Sequence, residues 1–173
     1  VIIGEEEEIS EDTPTKTTQR DPIKLEKNKI FWQEFIESCV FDHPDQEPPR
    51  RLNVNSIRVP FPEPVGWVTC YRVASGRKRI GIFMHFGGAA GLETFDKLKQ
   101  KREMIEEELT GVVFVKDDKE YKDGVPTIYL NLEIDPTDDS TIKQQKEWFQ
   151  LYLNKWVNLF RPLISSLDRT ISQ

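Results

Sequence analysis

The chain has 173 residues, of which 37% are hydrophobic and 31% charged, with a net charge of −6. That length suffices for one domain with a core, and the low apolar share points to a polar tail beside it. No secretory leader pattern and no apolar run of membrane-spanning length is present, which excludes a helical membrane span.

Residues 1–22, VIIGEEEEISEDTPTKTTQRDP, read as an acidic, disordered linker, because Glu5 to Glu8 repel one another and little else there can be buried. A chain that opens on Val1 with such a segment reads as a piece of a longer protein. Residues 23–170 read as one α+β domain. Its first helix is expected over 23–40, where Leu25, Trp32, Phe35, Ile36 and Cys39 share a face. Residues 42–64 hold Pro44, Pro48, Pro49, Pro60, Pro62 and Pro64, a density that predicts a long irregular connection with at most a short extended piece at 55–59.

A hairpin follows. Val65, Trp67, Thr69, Tyr71 and Val73 alternate on a strand over 65–73, Gly76 marks the turn, and Ile80, Ile82, Met84 and Phe86 alternate on the return. A second helix is expected from Leu92 to Leu109, burying Phe95, Leu98, Ile105 and Leu109 and closed by Gly111. Residues 112–115 and 127–135 make a second hairpin about a polar turn, with Ile128, Leu130, Leu132 and Ile134 on one face. The last helix starts after PTDDS, capped by Asp139 or Ser140. It carries Phe149, Tyr152, Leu153, Trp156, Leu159, Phe160, Leu163 and Leu167, with a kink or an early end expected at Pro162. The order α-ββ-α-ββ-α predicts an α+β fold with a four-stranded, largely antiparallel sheet of two hairpins and helices packed on one face.

Three constellations carry chemistry worth weighing. The glycine turn FGGAAGLE lies between a strand and a helix, as a phosphate-binding loop does. It lacks the lysine and hydroxyl that such a loop needs, and Gly87, Gly88 and Gly91 do not make the dinucleotide spacing, so a plain connection is expected and no cofactor. A metal-dependent nuclease needs paired carboxylates and a lysine on adjacent strands. Only Glu120-Tyr121-Lys122, near Asp117, offers such a set, and a solvated hairpin tip explains it as well. Cys39 and Cys70, with His43 and His85, have no zinc-ligand spacing and read as free buried thiols, which suits a reducing cytoplasm; no metal site and no catalytic residue is expected.

The third constellation is electrostatic. Residues 1–49 carry 5 basic and 13 acidic side chains, residues 50–102 carry 11 and 3, and residues 103–173 carry 8 and 14. A basic middle, net +8, therefore sits inside an acidic protein. Arg72, Arg77, Lys78 and Arg79 on the first hairpin and Lys97 and Lys101 on the second helix are the candidates for contact with nucleic acid or an acidic partner, with Arg50, Arg51 and Arg58 on the loop nearby. The expectation is that the hairpin residues face solvent on one side of the sheet. Blocking of a sheet edge by basic side chains is the alternative.

Phe31-Trp32 and Phe35 near the start, then Phe95, Asp96, Leu98, Ile105, Glu106 and Gly111, then Trp148, Phe160, Pro162 and Ile164 make up a pattern that resembles the DUF4268 family over about residues 25–167. Arg102 stands where a lysine is usual in that pattern. The resemblance implies a bacterial domain attached to an amino-terminal part of restriction-endonuclease-like fold, and it carries over no reaction and no catalytic residues. The residues and the resemblance together point to a non-catalytic binding or assembly module. A degenerate or active metal nuclease and a homodimerisation domain, with Trp148 in an apolar patch, are the alternatives.

Overall fold

The computed structural model describes residues 21–116 and 124–172, and the side chains up to Leu167. Most of the acidic segment and the polar hairpin tip, with Asp117 and Glu120, lie outside the described residues. The elements in chain order are helix α1 (Pro22–Ser38), strands β1 (Arg50–Arg51), β2 (Ser56–Pro60), β3 (Trp67–Val73) and β4 (Arg79–His85), helices α2 (Gly88–Lys99) and α3 (Arg102–Glu108), strands β5 (Val113–Val115) and β6 (Thr127–Glu133), a short 3-10 turn (Asp139–Thr141) and helix α4 (Ile142–Ser172).

The fold is α+β, and the two expected hairpins, β3–β4 and β5–β6, are present. The sheet is larger than four strands. It has six, all antiparallel, in the order β1-β2-β3-β4-β6-β5. The extra pair comes from the proline-rich connection. Its prolines flank the strands, and Pro60 is the last residue of β2, opposite Trp67, where a missing N–H disturbs the ladder least. Ile57 and Val59 meanwhile pair with Cys70 and Val68 and are fully buried. Burial of that face outweighs the proline signal.

Register fixes the two faces. Ile82 lies opposite Cys70 and Leu130, and Met84 opposite Ile128. These residues, with Ile57, Val59, Val68 and Ile80, form the face onto which every described helix packs. Trp32 and Phe35 of α1, Phe95 and Leu98 of α2, Ile105 of α3, and Phe149, Leu153, Trp156, Phe160 and Ile164 of α4 belong to this one core. The expected burial of Phe95, Leu98, Ile105, Phe149, Trp156 and Phe160 against Ile128 and Leu130 is thus found, with Leu132 and Ile134 at its edge. Tyr71, Val73 and Phe83, with Tyr129, make a smaller cluster on the opposite face.

Three boundaries differ from expectation. Helix α1 is capped by Asp21, whose carboxylate accepts from the Ile23 amide at 2.9 Å, with Pro22 in the first turn. Its buried residues are Phe31, Trp32 and Phe35, so Phe31 replaces Leu25 in the inward stripe, its ring packed edge-on against Trp32 and Phe149. The second helix begins at Gly88, four residues before Leu92, and divides at Gln100 and Lys101. There the Lys101 amide turns to the Leu98 carbonyl at 2.9 Å, a tightened turn that re-aims the chain into α3. No glycine or proline lies at the break, and nothing in the local sequence marks it. Helix α4 runs through Pro162. Both Pro162 and Asn158, the residue whose carbonyl loses its partner, are exposed, so water can take that carbonyl, while Ile164 beyond it remains in the core.

Gly91 is where α2 meets the end of β4. A Cβ there would lie 2.5 Å from the Phe86 carbonyl carbon and 2.9 Å from its oxygen, and backbone cannot move aside as a side chain can. Gly91→Ala is expected to cost on the order of 1–3 kcal/mol in denaturant unfolding. A variant indistinguishable from wild type would mean that α2 docks less closely than this.

Candidate functional site

The residues of the basic middle do not make one surface. Arg77 and Lys78, at the β3–β4 turn, are exposed and paired with Glu133 at 2.8 Å and Asp135 at 3.4 Å. Asp135 is held below the usual carboxylate range mainly by hydrogen bonds from Thr137, with Lys78 adding to it. Lys97 pairs with Glu93 at 3.5 Å along α2, and Lys101 is exposed at the α2–α3 break. Arg72 and Arg79 do not face solvent, contrary to expectation. Arg79 is fully buried on the Tyr71 face and donates to the Arg77 carbonyl. Arg72 pairs with Ile80 in the register and so points to the helix face. Strand alternation sends the two arginines to opposite sides of the sheet.

Arg72 is the centre of a more specific arrangement. It is 5% exposed and lies at the end of β3 beneath α1 and the start of α4. Its Nε donates to Gln145 Oε1 at 3.0 Å, its Nη1 to Asn28 Oδ1 at 2.5 Å, and its Nη2 to the Pro136 carbonyl at 2.6 Å. The guanidinium carbon sits 3.8 Å from the centre of the Phe31 ring, so one flat face of the cation is covered by an aromatic. The partners are themselves fixed. Gln145, fully buried, donates to Thr141 Oγ1 at 2.9 Å, and Asn28 donates to Asn55 Oδ1 at 3.2 Å. The Asn55 carbonyl in turn accepts from the Arg72 amide at 3.0 Å.

All of these acceptors are neutral. Among the described residues no carboxylate comes within ion-pair distance of Arg72. Burial pulls its pKa down to about 10, and it remains a cation at neutral pH. A buried charge held only by neutral dipoles is costly, and it favours any anion that can reach it.

A pocket of about 380 Å³ gives that access. Arg72, Asn28 and Phe31 line it together with Ile23 and Ile30 of α1 and Ile142 of α4. Lys27 and Lys146, which also line it, are already paired, with Asp139 at 3.0 Å and with Glu34. Sequence reasoning singled out Arg72 and missed Asn28, Asn55, Gln145 and Pro136. They lie in α1, between β1 and β2, just after β6 and in the first turn of α4, and no local pattern marks an amide whose partner is 44 or 73 residues away.

The other candidates are less specific. Gly87 to Ala90 are exposed, Gly87 as the N-cap of α2, without a side-chain hydrogen bond, and Gly88 to Ala90 as its first residues. No group of three or more His, Cys, Asp or Glu able to hold a metal occurs among the described residues. Cys39 and Cys70 are free; burial pushes Cys39 up to about 12 and Cys70 well above its ordinary value, so both are thiols at neutral pH. Trp148 is half-buried against Phe149 and Tyr152 at the rim of the core. Trp67 is 37% exposed, with the Arg58 guanidinium 4.6 Å and that of Arg50 5.9 Å from its ring. No described helix is long and apolar enough to cross a membrane.

Fold and site together define a small α+β domain with a buried, neutrally held arginine at the floor of a pocket. Comparison with known proteins finds no matching family model, no similar curated protein and no similar solved structure.

Proposed function

We propose that the chain is a non-catalytic binding module that recognises an anionic group in the Arg72 pocket. The observation that carries this is the imbalance at Arg72: a buried cation, rigidly held, with neutral partners only and a cavity beside it. Such an arrangement orients and neutralises an anion. The resemblance to DUF4268 domains adds the expectation that the module works beside a nuclease-like domain. Thermal unfolding with a panel of small anions at fixed ionic strength tests the reading. A ligand at a hundredfold over its Kd stabilises by about 2.7 kcal/mol, which for a chain of this size raises Tm by roughly 5–10 °C. If no anion raises Tm beyond the ionic-strength control, the reading fails.

A second reading is contact with nucleic acid, and the placement of the Arg50 and Arg58 guanidinium groups beside the Trp67 ring near the β1 edge favours it. Stacking on an aromatic beside guanidinium groups is how single strands are held without sequence preference. Binding of labelled single-stranded DNA should then weaken with salt, and Arg50→Ala combined with Arg58→Ala should flatten the log–log slope by about 0.7 for each phosphate no longer neutralised. No binding at low salt by the wild-type domain would remove this reading.

A further inference from the structure

Resting on the pocket reading above, we propose that the Arg72 pocket takes a monoanionic carboxylate with a short apolar body, the carboxylate seated at the guanidinium and the body against Ile23, Ile30 and Ile142. Charge sets the head group. Arg72 is the one pocket cation that is both buried and without an acidic partner among the described residues. Lys24 and Asp21, both exposed, line it too and carry opposite charges, and Lys27 and Lys146 are matched by Asp139 and Glu34, which stand at the same pocket. A single negative charge balances Arg72. A phosphate dianion or a polyphosphate would bring surplus charge towards those two carboxylates, with no second buried cation to meet it.

Shape agrees with this. Three guanidinium N–H groups are used by Gln145, Asn28 and Pro136, one on each nitrogen, so both terminal nitrogens keep a donor. Phe31 covers one face of the plane. A planar carboxylate suits a planar donor approached edge-on. The walls supply the rest. Ile23 and Ile30, one heptad apart on α1, are 65% and 45% exposed, yet both line the pocket beside the cation. Apolar side chains left open beside a buried charge gain by being covered by an amphipathic ligand. At about 380 Å³ the pocket is near the lower end for small-molecule sites, which run from roughly 300 to 1,000 Å³.

The test is an NMR titration of the domain that follows the side-chain amides of Asn28 and Gln145, with hexanoate, acetate, hexanamide and inorganic phosphate as probes. Hexanoate should shift both amides saturably. Acetate, four methylenes shorter, should bind about 250-fold more weakly, since each buried methylene contributes about fourfold. Hexanamide and phosphate should each bind at least about tenfold more weakly than hexanoate, the first for want of charge and the second for excess of it. Because Arg72 is knit into the fold, the informative variant is Ile30→Glu, at an exposed position. It should weaken hexanoate by more than about tenfold, by charge repulsion and by removal of an apolar wall, with an unchanged unfolding midpoint. Phosphate or hexanamide binding as well as hexanoate would overturn the carboxylate assignment and leave an anion or apolar pocket of another class. If no anion moves either amide, the pocket reading itself falls.

Discussion

Trp156→Ala is expected to destabilise the domain by about 3–5 kcal/mol in denaturant unfolding. Trp156 is fully buried where α4 crosses the sheet, with its ring 4.9 Å from that of Phe160, inside the core that also holds Ile82, Ile128 and Leu130. Truncation would leave a cavity that these neighbours, anchored on strands and on a long helix, cannot close. A second variant sharpens the test. The indole N–H of Trp156 is buried and finds no acceptor among the described residues, and an unmet buried donor costs on the order of 1–3 kcal/mol. Trp156→Phe removes that donor while keeping most of the ring, and its loss should be less than about half that of the alanine variant. A loss below about 1 kcal/mol for Trp156→Ala would mean that the buried face of α4 is wrongly assigned.

Arg72→Met should cost about 2–4 kcal/mol, for a different reason. Methionine keeps much of the stem that packs on Phe31 but removes the donors to Gln145 Oε1, Asn28 Oδ1 and the Pro136 carbonyl. Pro136 keeps a donor in Gln145 Nε2 at 3.3 Å, whereas the two amide oxygens lose theirs. Relief from burying an unmatched charge offsets part of the loss, so the net cost falls below the sum for the stranded acceptors. The loss should be accompanied by loss of any Tm response to anions, and Arg72→Lys should retain the charge without the planar fork. Equilibrium unfolding with and without anion checks both parts. Stability within about 0.5 kcal/mol of wild type would mean that the network around Arg72 does not form.

Periodicity carried most of the fold. The stripes Phe95–Leu98–Ile105 and Phe149–Trp156–Phe160 and the alternation of Ile80, Ile82 and Met84 are local patterns, and each maps onto the core. What was not legible was decided by tertiary contacts. Strand β2 forms among prolines because Ile57 and Val59 bury against Val68 and Cys70. Helix α4 continues past Pro162 because Ile164 still has a core to enter. The same limit applies to the site. The charge census found an excess of basic residues between 50 and 102, but strand alternation and pairing with Glu133 and Asp135 divide them. The residue that stands out, Arg72, does so through Asn28 and Gln145, which only the folded chain brings to it.

The most direct measurement of the central claim is a crystal structure of the domain soaked with 6-bromohexanoate, using the anomalous signal of bromine to place the ligand. The account predicts a bromine peak beside Ile23 and Ile30, with the carboxylate in hydrogen-bond contact with the Arg72 guanidinium and Asn28 and Gln145 unmoved. Bromine bound elsewhere, or a pocket holding only water at a concentration that saturates the NMR response, would contradict it.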